Sequence, residues 1–293
     1  MIFTKMHGLG NNYIIFNQLD NPDNILEEEQ YPPLSRKVSD VNFGIGSDGI
    51  ILICLSDIAD FKMRIFNEDG SEAKNCGNGL RCVSKFLLDR KYARKPRFTI
   101  ETLGGVVRVE AEVGPDKKQW VKYVNVDMGK PQLLKGMIPM EGDPLKTAIN
   151  ESHIFGEKEY QLTSVSMGNP HAIIFVDEVN EFPLEEIGPV IEQASLFPDR
   201  VNVGIVQVKG PQEMDYRVWE RGSGITMACG TGACAAVVAG TMNQLLDEYE
   251  PITVHLPGGD LTITWDEQGH VWKRGEAAYI CDGEWDFQQA VST

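Results

Sequence analysis

Cys76 and Cys229 each stand just before a glycine-rich turn that opens an apolar helical pattern, in Asn75-Cys76-Gly77-Asn78-Gly79 and Ala228-Cys229-Gly230-Thr231-Gly232. A helix start offers unpaired backbone N–H groups and a partial positive charge, which push a thiol toward thiolate and let a carboxylate dock beside it. Two such sites in one chain form a matched pair. If the halves carrying them face each other across a cleft, one thiolate can take a proton from a carbon while the other thiol returns one to the far face, as inversion requires. Thiols suit the task because their unperturbed pKa of about 8.5 is close to neutrality, so one can rest as thiolate and the other as thiol. The helix starts would hold an α-carboxylate and stabilise the charge that develops when its α-carbon loses a proton. This is racemase or epimerase chemistry, and it calls for neither a metal nor pyridoxal phosphate.

Other readings of these residues are weaker. Cys54, Cys82, Cys234 and Cys281 lack the duplicated context and read as small apolar side chains. The Cys76/Cys82 and Cys229/Cys234 spacings have no companion histidines, which argues against zinc. Gly8-Leu9-Gly10 could cradle an anion, but no Walker lysine and no glycine fingerprint opening a βαβ unit supports nucleotide binding. A redox protein with paired regulatory thiols is the alternative of another class, and the Cys-x-x-Cys of catalytic disulfide exchange is absent. His171 is the histidine embedded in a repeated element, which makes it a candidate modulator of a thiol. Asn11, Asn42, Asn169 and Asn202 pair across the repeat and are expected as cleft-facing amides that hold a zwitterion without adding charge.

The elements that must position these residues are themselves duplicated. Gly10-Asn11 with Ile14-Ile15-Phe16 recurs as Gly168-Asn169 with Ile173-Ile174-Phe175, and Val41-Asn42-Phe43-Gly44-Ile45 as Val201-Asn202-Val203-Gly204-Ile205. Arg64-Ile65-Phe66-Asn67 recurs as Arg217-Val218-Trp219-Glu220, each followed nine residues later by its cysteine. Strands are expected at 13–16, 50–54, 61–66, 98–101, 106–113 and 121–126, then at 172–176, 201–208, 216–219, 252–256, 261–265 and 278–281. The clearest helices begin after the cysteines, with Leu80, Val83 and Leu87 on one face of the first and Ala233, Ala236, Val237 and Gly240 on one face of the second. Secondary helices are expected at 33–39 and 183–195, a hairpin turn at 114–118, and the linker together with the opening of the second half at 129–161. Long sheet with one principal helix per half gives an α+β class. The expected domains are 1–129, joined by a returning C-terminal strand at 276–293, and 130–275.

The 293 residues, 42% hydrophobic and 24% charged, are enough for two cored domains. No apolar run nears the roughly 18 residues of a membrane span, and the first residues lack the basic and apolar regions of a secretory signal, so the cytoplasm is the expected compartment. Six cysteines in such a chain are expected reduced or catalytic rather than as a disulfide framework. With 27 basic against 43 acidic side chains the net charge is −16, which disfavours nucleic acid and anionic membrane as partners. A small molecule is the expected partner, and a homodimer is left open.

At these and further motifs the chain resembles the diaminopimelate epimerase family over almost its whole length. The resemblance is carried by Lys5-Met6-His7-Gly8-Leu9-Gly10-Asn11, Gly44-Ile45-Gly46-Ser47-Asp48, Phe66-Asn67-Glu68-Asp69-Gly70, Cys76-Gly77-Asn78-Gly79-Leu80-Arg81-Cys82, Ser166-Met167-Gly168-Asn169-Pro170-His171, Arg200-Val201-Asn202, Glu220-Arg221-Gly222 and Ala228-Cys229-Gly230-Thr231-Gly232. It implies cofactor-independent interconversion of LL- and meso-diaminopimelate in lysine and cell-wall synthesis, on two pseudo-symmetric domains, each a sheet rolled around its central helix. It implies Cys76 and Cys229 as acid and base, and His171 and Glu220 as groups that tune the thiols. Gly77, Asn78, Gly230 and Thr231 match the helix-start groups that bind the reacting carboxylate. Glu220 and Arg221 match those holding the substrate's amine and carboxylate, and Asn11, Asn67, Asn169 and Asn202 the remaining contacts. Some members carry Gln where this chain has Gly49, so that contact does not transfer. Proline and hydroxyproline racemases of the same fold are the alternative within this chemistry, and they match less well around Asn67 and Glu220-Arg221.

Overall fold

The computed structural model describes residues 1–74, 76–114 and 120–286. Asn75 of the first cysteine motif, residues 115–118 of the expected hairpin turn and 287–293 of the expected returning segment lie outside the described residues. The chain divides into two compact units, one of Met1–Val126 with the segment from Gly275 onward, the other of Asp127–Arg274.

In the first unit, strand Asn11–Asn17 pairs antiparallel with Ile2–Gly8 and parallel with Gly49–Cys54. The ladder continues antiparallel to Phe61–Asn67, parallel to Arg97–Thr102, then antiparallel through Gly105–Val113 to Val121–Asp127. The late strand Ala278–Glu284 pairs with the free edge of Ile2–Gly8. Two helices serve this unit, α1 (Tyr31–Ser39) and α2 (Gly77–Asp89).

The second unit repeats the scheme. Pro170–Phe175 pairs antiparallel with Lys158–Ser166 and parallel with Asn202–Gly210, followed by Glu213–Glu220 (antiparallel), Ile252–Leu256 (parallel), Gly259–Trp265 and Val271–Gly275 (both antiparallel). Its helices are α3 (Leu184–Glu192) and α4 (Gly230–Met242). From Asn11–Asn17 and from Pro170–Phe175 onward the pairing senses run in the same order, so the duplication is written in the ladders as well as in the motifs.

Each unit encloses one helix. Gly77 to Leu87 in α2 and Gly232 to Thr241 in α4 are buried without interruption, which places apolar strand faces all round both helices. The two helices meet this burial differently. α4 is almost purely small and apolar, and a Cβ at Gly232 or Gly240 would collide with Tyr216 or Leu246. α2 carries Arg81, Ser84 and Lys85 inside. Arg81 Nε donates to the Glu276 carbonyl at 3.0 Å, Ser84 Oγ to Leu80 O at 2.7 Å, and Lys85 Nζ to Val121 O at 2.6 Å while pairing with Asp89 at 2.9 Å. Buried charge is tolerable only with such partners.

The stretch 129–161, expected as the linker and the opening of the second half, contains a hairpin of Glu151–Phe155 with the start of Lys158–Ser166. One expectation needs correction. Val41–Ile45 is not the structural counterpart of 201–205. Gly49 and Ile50 pair with Asn67 and Phe66 as Val203 pairs with Trp219, so Gly49 holds the place of Asn202 and Ile50 that of Val203. Asn42 lies in an exposed turn, its N–H bound to Asp40 Oδ1 at 2.7 Å. The matching letters at 41–45 are those of a turn, where Asn and Gly are favoured for local reasons. Among the described residues no helix is long and apolar enough to cross a membrane.

Candidate active site

Both cysteines occupy the N-cap position of a buried helix, in extended backbone conformation, with φ of −148° at Cys76 and −104° at Cys229. The glycines that follow let other groups approach closely. A Cβ at Gly79 would lie 2.9 Å from Ile51 Cδ1, and one at Gly230 would run into Lys273.

Around Cys76, the Gly79 N–H donates to the sulfur at 3.3 Å and the Tyr13 hydroxyl lies 3.0 Å from it. That hydroxyl also donates to Asn11 Oδ1 in a short hydrogen bond. Asn11 Oδ1 accepts from Asn78 Nδ2 at 3.2 Å, while Asn11 Nδ2 donates to Asp48 Oδ2 at 2.8 Å. Asp48 further accepts from the backbone and side chain of Asn12 at 2.6 and 3.1 Å. Lys5 steadies the loop before Asp48 by donating to Gly46 O at 2.6 Å. Gly49 has φ of +154° and its Cβ would fall on the Phe66 carbonyl, so no side chain can reach out from this position. Asn67 donates to Ser71 Oγ at 2.9 Å at the exposed end of its strand.

Around Cys229 the plan is the same and the chemistry differs. Strand register puts His171, opposite Asn202, where the first unit has Tyr13 beside Gly49. His171 Nε2 contacts Asn169 Oδ1 at 3.1 Å, and Asn169 Nδ2 donates to Thr231 Oγ1 at 3.3 Å. With Asn169 Oδ1 as acceptor, Nε2 carries the imidazole proton and the buried Nδ1 is left without a partner. Burial, with the Arg221 charge adding to it, drives the His171 pKa down to about 3, so the ring is neutral. The Cys229 thiol is buried and faces Glu220, its hydrogen-bond partner, with Thr231 Oγ1 at 3.5 Å. Burial first, and the Glu220 charge second, push the Cys229 pKa up to about 12. The expected bias toward thiolate at both helix starts therefore fails at Cys229, where desolvation outweighs the helix terminus. Burial likewise raises the Glu220 carboxyl, against a short hydrogen bond donated by Thr226.

Arg221 follows Glu220 in a turn held from beneath. Its N–H donates to Asn202 Oδ1 at 2.9 Å, and Asn202 Nδ2 donates to Pro170 O at 2.9 Å, so both ends of that buried amide are engaged within the protein. Buried Glu192 accepts from Gly222 N at 2.9 Å and Trp219 Nε1 at 2.7 Å and pairs with Arg200 at 2.7 Å. Arg221 Nη1 donates to Asp199 O at 2.7 Å, leaving the exposed guanidinium with donors to spare.

The structure thus gathers Asn11, Gly77 and Asn78 about Cys76, and Asn169, His171, Glu220, Gly230 and Thr231 about Cys229, with Asn202 beneath Arg221. Sequence reasoning passed over Tyr13, Asp48, Thr226 and Glu192. Tyr13 could have been found by laying Asn11 on Asn169, which brings it onto His171. Glu192 had no such signal, since a lone Glu on a helix reads as surface. Among the described residues no group of three or more His, Cys, Asp or Glu is placed to hold a metal ion.

The fold is shared with several solved proteins. A phenazine biosynthesis protein of the PhzF family from Bacillus anthracis superposes with a TM-score of 0.69 at 18% identity, covering 97% of this chain and 98% of its own. A probable proline racemase from Agrobacterium radiobacter K84 superposes at 0.67 with 14% identity, covering 98% and 93%. Identities this low speak for the fold alone. A family model described as diaminopimelate epimerase matches residues 3–134 and 163–280. Proteins named diaminopimelate epimerase from Bacillus mycoides (strain KBAB4) and Bacillus cereus (strain AH187) are each 50% identical over 286 residues, covering 98% of this chain and 97% of theirs. The chain belongs to the diaminopimelate epimerase family.

Proposed function

We propose that this protein is a cofactor-independent epimerase that interconverts LL- and meso-diaminopimelate in lysine biosynthesis, acting in the cytoplasm. The observation that supports this most is the duplicated cysteine N-cap on a buried helix, in a chain whose relatives of that name match it nearly end to end. In this reading the two units are the two halves of the duplication. Cys76 and Cys229 are the acid and base, and their roles exchange with reaction direction. The thiolate removes the α-proton, and the free N–H groups at the starts of α2 and α4, with Asn78 and Thr231, stabilise the charge as it spreads onto the α-carboxylate. The opposite thiol then protonates the other face of the carbon. A carboxylate such as Glu220, hydrogen-bonded to Cys229, eases proton movement at that sulfur, and neutral His171 orders Asn169 and Thr231. Arg221, presented by Asn202 and Glu192, takes the distal carboxylate, with Asn11, Asn67 and Asn169 as further polar contacts.

A single amino-acid head forgoes the charge-assisted contact of a second carboxylate with Arg221, worth about 1.5–3 kcal/mol. Diaminopimelate should therefore be turned over far faster than lysine, proline or alanine, with no loss of rate after dialysis against a chelator. Arg221→Met should lower kcat/KM for diaminopimelate by about 10- to 100-fold, the same penalty expressed as a rate. Comparable turnover of all four amino acids by the wild type would refute the substrate assignment, and a preference for proline would move it to the racemase alternative.

A further inference from the structure

We propose that Tyr13 is a positioning residue for Cys76, whose single hydroxyl serves both protonation states of the sulfur by exchanging its hydrogen bond between Asn11 Oδ1 and Cys76 Sγ. The inference rests on the reading of Cys76 as an acid/base residue, and its geometry lies wholly within the first unit. Tyr13 is 4% exposed, and its oxygen touches two acceptors, Cys76 Sγ at 3.0 Å and Asn11 Oδ1 in a short hydrogen bond. A phenol has one proton and so can donate to only one of them.

Asn11 cannot turn its amide to relieve the competition, because its Nδ2 is held by Asp48 Oδ2 at 2.8 Å and its Oδ1 also receives Asn78 Nδ2 at 3.2 Å. When Cys76 is a thiol, its S–H donates to the tyrosine oxygen and the tyrosine proton goes to Asn11. When Cys76 is a thiolate, the tyrosine proton turns to the sulfur, joining the Gly79 N–H at 3.3 Å, and Asn11 keeps Asn78. The Tyr13 hydroxyl, Asn11 Oδ1 and Cys76 Sγ each keep a partner in either state, which suits a residue that must alternate between giving and taking a proton.

The groups facing this hydroxyl are Cys76 at the helix start, Cys82 within α2 and Asp48 before Gly49–Cys54. Burial foremost, then the charge on Cys76, hold the Tyr13 phenol well above its ordinary range, so the hydroxyl keeps its proton throughout. The second unit has His171 at the same register, bound to Asn169 as Tyr13 is to Asn11, but there the group facing the sulfur is Glu220. The two thiols are thus served by different chemistry.

The test is the pH dependence of iodoacetamide alkylation without substrate, with the modified cysteine identified by peptide mass. In Tyr13→Phe the midpoint for Cys76 should rise by about one pH unit, a tenfold loss of thiolate at a fixed lower pH, while Cys229 is unmoved. In Asn11→Ala, which removes the competing acceptor, the Cys76 midpoint should fall. An unchanged Cys76 midpoint in folded Tyr13→Phe, or a rise in Asn11→Ala, overturns the proposal. If Tyr13→Phe does not fold, the sign of the Asn11→Ala shift decides. Because no substrate enters, failure of the diaminopimelate assignment would appear only in the turnover assays.

Discussion

The helix starts at Cys76 and Cys229 share a backbone plan and differ in what faces the sulfur. At Cys76 the partners are a backbone amide and a phenol, both able to donate to a thiolate. At Cys229 they are a carboxylate and deep burial, which favour the thiol. Duplication supplied the position in both halves, and divergence of a few neighbours separated the two sites chemically. A matched pair of positions need not be chemically matched: the Cys229 thiol is pushed up by burial and by the Glu220 charge, while the Cys76 sulfur meets a phenol and a backbone N–H.

Removing either thiol should have the largest effect. Cys76→Ala and Cys229→Ala should each lower epimerisation by at least about a thousandfold, within the range for loss of an acid/base group, with little change in thermal stability. Cys54→Ala, which removes a thiol that donates to Gln18 Oε1 at 3.0 Å, should leave substantial activity. Near-normal turnover by either of the first two variants would end the paired-thiol account.

Acid should separate the halves next. His171 has its pKa held down to about 3 in the folded state, so the unfolded chain binds the extra proton once the pH drops below about 6.5. Stability is therefore intact above that value and lost progressively as pH falls toward 3, at ~2 kcal/mol by pH 5. Urea unfolding at pH 7 and pH 5 should show this loss in the wild type and a reduced one in His171→Gln, which retains a donor toward Asn169. An equal loss in both would mean that other groups govern acid sensitivity.

Glu220→Gln is the finest probe. Removing a charge that raises Cys229 should lower the pH at which that thiol alkylates, by up to about one unit, and leave Cys76 where it was. Burial is the larger cause, so the Cys229 midpoint should stay above the ordinary thiol value even then. A rise, or an equal shift at both cysteines, would contradict the assignment of Glu220 to Cys229.

Much of this site was legible in the letters because its backbone demands are strict. Cysteine before glycine at a helix start, repeated, leaves few other readings, and the β-branched runs marked most strands of both ladders, though not Lys158–Ser166 or Val271–Gly275. What escaped was set by pairing across the sheet. Ile2–Gly8 was missed because its alternating buried positions Thr4, Met6 and Gly8 hold one large apolar side chain and so form no apolar run. The 41–45 and 201–205 likeness misled because turn residues recur for local reasons, and only strand register shows Gly49 standing in for Asn202. Tyr13 hid in an apolar run, where a phenol reads as core. Desolvation of Cys229 follows from tertiary burial, which no spacing reveals.

Two different groups serve the two faces of one carbon in this mechanism, and incubating LL-diaminopimelate with the enzyme in deuterated water distinguishes it from a one-base route. Early in the reaction, meso product should carry one solvent deuteron at the inverted α-carbon while remaining LL substrate stays largely unlabelled, because the thiol that returns the proton is not the one that removed it. Deuterium entering LL substrate as fast as meso product forms would show one group exchanging on both faces, and would contradict the account.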